Sequence, residues 1–127
     1  MPNDMVPNAA ASLLTTVTDY ATFLTHIARP RGGNFEIKLT TYAEMMKPQV
    51  RINNELAWGL GWGIQEYQGW RYLWQWGDNG EWKNFVLVHP ESASALVVFT
   101  NGDTGMRVVE RVVTAATGKD QPAFLWV

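Results

Sequence analysis

The sequence predicts an α+β fold, an antiparallel four-stranded sheet packed by an N-terminal and a C-terminal helix, and three patterns carry that prediction. Apolar residues recur at steps of three and four in two stretches, residues 17–28 and 106–116. Between them lie four short apolar or aromatic runs, each bounded by turn-forming residues. The connections between those runs are a few residues long, which favours antiparallel neighbours over crossovers. No internal repeat or long linker divides the chain, so residues 1–127 are read as a single domain.

Residues 1–12 are rich in Pro and Asn and predict irregular chain. Thr16-Val17-Thr18-Asp19 then has the form of a capping box. Val17, Tyr20, Ala21, Leu24, Ile27 and Ala28 follow on one helical stripe, and Pro30 with Gly32-Gly33 ends it. A shorter helix is expected from about Thr41 to Met46, with Thr41-Tyr42-Ala43-Glu44 as a second capping box and Pro48 as its stop. The period then shifts. Gly59–Tyr67, Trp70–Trp76, Asn84–His89 and Ala93–Thr100 read as strands, punctuated by Gln68-Gly69, Asp78-Asn79-Gly80, His89-Pro90-Glu91 and Asn101-Gly102-Asp103. Leu96-Val97-Val98-Phe99 barely alternates, which predicts a strand covered on both faces. A last helix is expected from about Thr104 to Thr117, with Met106, Val109, Val112, Val113 and Ala116 as its stripe and Gly118 at the C′ position.

At 46% hydrophobic and 17% charged, the chain can bury a core and is not of disordered type. Ten basic and twelve acidic residues, with no Lys/Arg block, argue against a nucleic-acid partner. The absence of cysteine removes disulfides and thiolate metal sites. Met1 to Ala11 has no basic segment leading into an apolar one, and no apolar run is long enough to span a bilayer, so a soluble chain without signal peptide or membrane contact is expected. Composition fixes no compartment. Seven tryptophans are present, six of them between positions 58 and 82. Such density means a large aromatic core or a stacking surface.

Four segments resemble one family. Ala9–Leu24 looks like a small-residue run entering a helix of the form S/T-x-x-D-[LY]-A-x-F-L. Trp58-Gly-Leu-Gly-Trp-Gly63 is similar to a Y/W-G-L-G-W motif, and Gln75-Trp-Gly-Asp-Asn-Gly80 resembles an H-x-G-x-N-x-G strand and turn. Leu96–Gly102 is similar to a final strand ending in T-N. Together they resemble the C-terminal half of serine β-lactamases and related penicillin-binding proteins and esterases, nearest the class C enzymes. The resemblance implies a partial β-lactamase-like fold with one sheet edge missing its neighbour, because the family's further strands come from its N-terminal part.

In that family a Ser in S-x-x-K attacks a carbonyl, a Y-x-N or S-x-N motif moves a proton, and K/H-x-G on a strand forms the far wall of the pocket. Three residues beyond Ser12, Ser92 and Ser94 stand Thr15, Ala95 and Val97, so there is no S-x-x-K. Two residues beyond Tyr20, Tyr42, Tyr67 and Tyr72 stand Thr22, Glu44, Gly69 and Trp74, so there is no Y-x-N, and the serines give no S-x-N. Gln75, Trp76 and Gly77 hold the wall position, with Gln where the family usually carries Lys or His. An amide donates and accepts hydrogen bonds but does not shuttle a proton.

Trp70, Trp74 and Trp76 share one strand face at a period of two, so Trp70 and Trp74, with Asp78 and Asn79 at the turn, make a candidate ligand or partner face. The same tryptophans equally suit an aromatic core. Asp78-Asn79-Gly80 is short of calcium ligands, and the residues around His26 and His89 in sequence complete neither a metal site nor a triad, so no metal or cofactor is expected and both histidines read as structural or solvated. The expectation is a non-catalytic partial domain that forms a homodimer or binds a complementary half. Two alternatives stand beside it: the C-terminal component of a β-lactamase, D-peptidase or esterase, and a carbohydrate- or small-ligand-binding module using the tryptophans.

Overall fold

The computed structural model describes residues 8–29 and 37–127. Pro30, Gly32 and Gly33, expected to end the first helix, lie outside them. Helix α1, Val17–Ala28, starts at the foreseen cap: the Asp19 N–H donates to Thr16 Oγ1 at 3.1 Å, and the Thr16 hydroxyl donates to the Asp19 carboxylate at 2.9 Å. Leu24, Ile27 and Ala28 are buried and Tyr20 is half-buried, whereas Val17 at the first turn stays largely exposed.

Helix α2, Leu39–Met45, starts two residues before the expected position and makes no side-chain cap hydrogen bond. The second capping box does not form, because Glu44 pairs with Lys47 instead of turning back to the helix start. Tyr42 ties α2 to α1 by donating its hydroxyl to the Ile27 carbonyl at 2.6 Å.

Among the described residues the sheet has six strands, not four: β1 Val50–Arg51, β2 Leu56–Trp58, β3 Gly63–Tyr67, β4 Trp70–Asn79, β5 Trp82–His89 and β6 Ser94–Asn101. All neighbours are antiparallel and the spatial order follows the chain. The expected strand Gly59–Tyr67 divides, since Gly59–Trp62 is a connection and Leu56–Trp58 is its own strand. Asn53 explains the added pair: its Oδ1 accepts from the Glu55 and Leu56 N–H groups, both at 2.8 Å, and folds β1 back on β2. Between β3 and β4, Gln68 and Gly69 both take positive φ, 52° and 80°, the two-residue turn that matches strand twist.

Helix α3, Gly105–Thr117, ends at Gly118 with φ 67°, as expected of a C-terminal glycine. Its buried stripe is narrower than predicted. Gly105, Val109 and Val113 are buried, but Val112 and Ala116 face out. A short 3₁₀ turn, Pro122–Leu125, closes the chain's last contact with the sheet.

The helices lie on opposite faces. Leu24, Ile27, Met46, Ile64, Leu73, Val86 and Val88 form one core under α1 and α2, and Tyr72, Trp74, Phe85, Leu87, Val109, Val113 and Ala123 form another under α3 and the 3₁₀ turn. β6 is covered on both sides as expected: Val97 packs in the first core and Leu96 and Val98 in the second. Among the described residues no helix is long and apolar enough to cross a membrane.

Candidate functional site

Pleat and register place every residue of the wall motif. On β4, Trp70, Tyr72, Trp74, Trp76 and Asp78 take the α3 face, while Leu73, Gln75 and Gly77 take the α1 face. Gln75 is paired with Val86, Trp76 with Phe85 and Gly77 with Asn84. A Cβ on Gly77 would come within 2.7 Å of the Asn84 amide oxygen, so a residue without a side chain lets Asn84 lie across the strand.

The two neighbours of β4 differ in length. β5 pairs with it from Leu73 to Asn79, but β3 pairs only from Trp70 to Trp74. Residues 75–79 therefore have a strand on one side and none on the other among the described residues. The two-residue turns fix which groups face the gap. Asn79 and Trp82 close the turn at Gly80-Glu81 and exchange hydrogen bonds, so odd-numbered β4 residues bond to β5 and even-numbered ones point away. Trp76 and Asp78 thus direct their backbone N–H and C=O groups into the open side.

Gln75 partly fills it. Its Oε1 accepts from the Trp76 N–H at 3.1 Å, and its Nε2 donates to the Gly61 carbonyl at 3.2 Å. Gly61 holds φ 81° in the β2–β3 connection, a conformation that costs a side-chain-bearing residue energy. Beside it, Trp62 stacks on Phe23 at 6.5 Å, and Phe23 leads through Tyr20 to Phe99 by ring separations of 5.5 and 5.8 Å. A shallow depression of about 350 Å³ runs along α1, lined by Leu13, Thr15, Asp19, Tyr20 and Phe23.

The candidate ligand face divides between core and surface. Trp74 is fully buried with its ring 4.9 Å from Trp58, and offers nothing to a ligand. Trp70 is 40% exposed, beneath Lys119 Nζ at 3.9 Å from its ring centre. Asp78 is exposed and pairs with Lys83 at 2.5 Å, and Asn79 is exposed at the turn. Trp82, 60% exposed, is the more open indole on this end of the sheet, and its place opposite the exposed Asn101 follows from register, which composition alone does not reveal.

His26 lies on the exposed side of α1. His89 is buried at the opposite end of the sheet from Gln75, its Nδ1 accepting from the Ser92 N–H at 3.3 Å and lying 2.5 Å from the Ser92 hydroxyl. Its ring packs on Trp70 and Tyr72. This contact secures the β5–β6 turn, and the sequence hid it because Ser92 reads as an ordinary turn residue. No serine adjoins Gln75: Ser12 precedes α1, and Ser92 and Ser94 sit at that far turn. Among the described residues no cluster of three His, Asp or Glu side chains is placed to hold a metal ion. Among the described residues, Trp76 and Asp78 carry the outward backbone groups beside Gln75, and the Trp76 N–H is already bonded to the Gln75 side chain.

A family model described as Beta-lactamase matches residues 1–119. No curated protein matches the chain.

Proposed function

The chain belongs to the beta-lactamase family, and from that premise we propose that it is a partial, non-catalytic domain that pairs with a second copy of itself through β6. The observation that supports this reading is the outer edge of β6. Among the described residues the strand ends the sheet, its residues from Leu96 to Thr100 are half-buried, and Ser94–Asn101 contains neither Pro nor a charged residue. Edge strands usually carry such devices because a bare edge recruits other strands. By the alternation traced from the β4–β5 turn, Ser94, Leu96, Val98 and Thr100 bond to β5. Ala95, Val97, Phe99 and Asn101 present their backbone groups outward.

A second reading is favoured by the family match: the same edge takes a strand from a polypeptide that bears S-x-x-K, and the two together form a hydrolase. In that complex Gln75 would orient substrate without exchanging protons.

Light scattering on the eluting protein over a wide concentration range tests the first reading. A dimer that dissociates on dilution is expected. Ala95→Pro removes an outward N–H while sparing the β5 ladder, so it should give a monomer with unchanged far-UV circular dichroism. A parent chain that stays monomeric at the highest attainable concentration overturns self-pairing and directs the search to an S-x-x-K partner.

A further inference from the structure

We propose that the Gln75 side chain is a clasp that holds the open stretch of β4 shut against strand addition by a second copy of this chain. Among the described residues, β6 and the end of β4 are the two strand edges longer than two residues, and they differ. β6 has no charge, proline or side-chain cap along its edge. The stretch from Gln75 to Asn79 lacks a neighbour because β3 pairs only as far as Trp74, yet its first outward donor is already taken. Gln75 Oε1 accepts the Trp76 N–H at 3.1 Å, and Nε2 reaches across to the Gly61 carbonyl at 3.2 Å. One amide thus occupies a donor on β4 and an acceptor on the β2–β3 connection, so the Trp76 N–H is not offered to an incoming strand. The far end of the stretch is marked by charge, with Asp78 held by Lys83 at 2.5 Å.

Gln suits this task for a reason of valence. It offers one acceptor and one donor on a single planar group, so both backbone sites are satisfied at once. Gln75→Glu keeps the acceptor for Trp76 but sets a carboxylate against the Gly61 carbonyl, and Gln75→Ala removes both contacts. The clasp does not depend on β6 pairing, because the two edges lie on different strands. Opening the second edge adds one contact site to each molecule. A molecule with one usable edge stops at a dimer, whereas one with two continues to larger assemblies.

The test compares the parent, Gln75→Ala and Gln75→Glu by amide hydrogen exchange and by solution mass over a wide concentration range. At low concentration, exchange at Trp76 is expected to rise roughly three- to tenfold in Gln75→Ala, with a smaller rise in Gln75→Glu. At high concentration Gln75→Ala is expected to exceed the parent by at least one association step: beyond dimer if the parent dimerises, to dimer if the parent is monomeric. The second case would sink the β6 reading and leave the clasp standing. Unchanged Trp76 exchange in Gln75→Ala overturns the clasp, and so does faster exchange with a mass equal to the parent's at every concentration.

Discussion

Gly63 shows how tightly single residues are fixed in this sheet. It opposes Trp74 in the β3–β4 register, and a Cβ built on it would fall 2.2 Å from the indole ring. The ring is fully buried against Trp58, so it cannot swing away cheaply. Gly63→Ala should therefore destabilise the fold by about 1–3 kcal/mol or more, the range for overpacking a filled core. Urea unfolding would register it, and a midpoint equal to the parent's would contradict the packing described. The Gly-Leu-Gly-Trp-Gly run was visible in the sequence as a motif. Its physical cause was not, because nothing local says that an indole eleven positions on lies across the last glycine.

At the scale of elements, the 3₁₀ turn packs on the sheet through Ala123 and Phe124, and a buried amide supplies its polar tie. Gln65 on β3 accepts from the Ala123 N–H at 3.1 Å and donates to the Gln121 side chain, whose own Nε2 bonds to Thr117 Oγ1 at 3.1 Å. Gln65→Leu fits the space but strands the Ala123 N–H and the Gln121 amide. A loss of about 1–3 kcal/mol is expected, and hydrogen exchange should quicken first over residues 121–127. Uniform quickening across the sheet would refute a local tether. This tether was illegible beforehand, since a Gln within an apolar strand pattern reads as a polar face position. The two outer helices were legible because twelve or thirteen residues give a periodicity room to repeat. β1 and β2 leave no mark in the sequence because two and three residues are too few to show any period. In α3, Val112 and Ala116 fit the helical angle of the buried stripe yet stay exposed.

Across the whole molecule, burial holds tyrosines on both faces of the sheet in their protonated form. Burial raises Tyr20, Tyr42 and Tyr72 above the ordinary value of 10.0, with Arg71 pulling Tyr42 partly back. The folded chain thus keeps protons that the unfolded chain releases near pH 10. Their contribution is intact below that value and is lost as pH rises through it toward the raised folded values. Urea unfolding should show a steady midpoint from about pH 8 to about pH 10 and a decline above it. Tyr42→Phe should soften that decline, while costing about 1 kcal/mol at neutral pH through the lost bond to Ile27. A profile flat to about pH 11 would contradict the burial of these hydroxyls.

The sheet order, in which each strand lies beside its neighbour in sequence, also bears on how the fold is reached. Hairpins of adjacent strands close cheaply and fast, since few residues must be ordered to join them. Two contacts are exceptions: the 3₁₀ turn reaches β3 through Gln65 and Ala123, and α1 packs on β6 through Tyr20 and Phe99. During synthesis α1 leaves the ribosome long before the strand it covers exists. Its apolar side must wait in solution while the meander zips behind it, and the docking of α1 joins residues far apart in the chain.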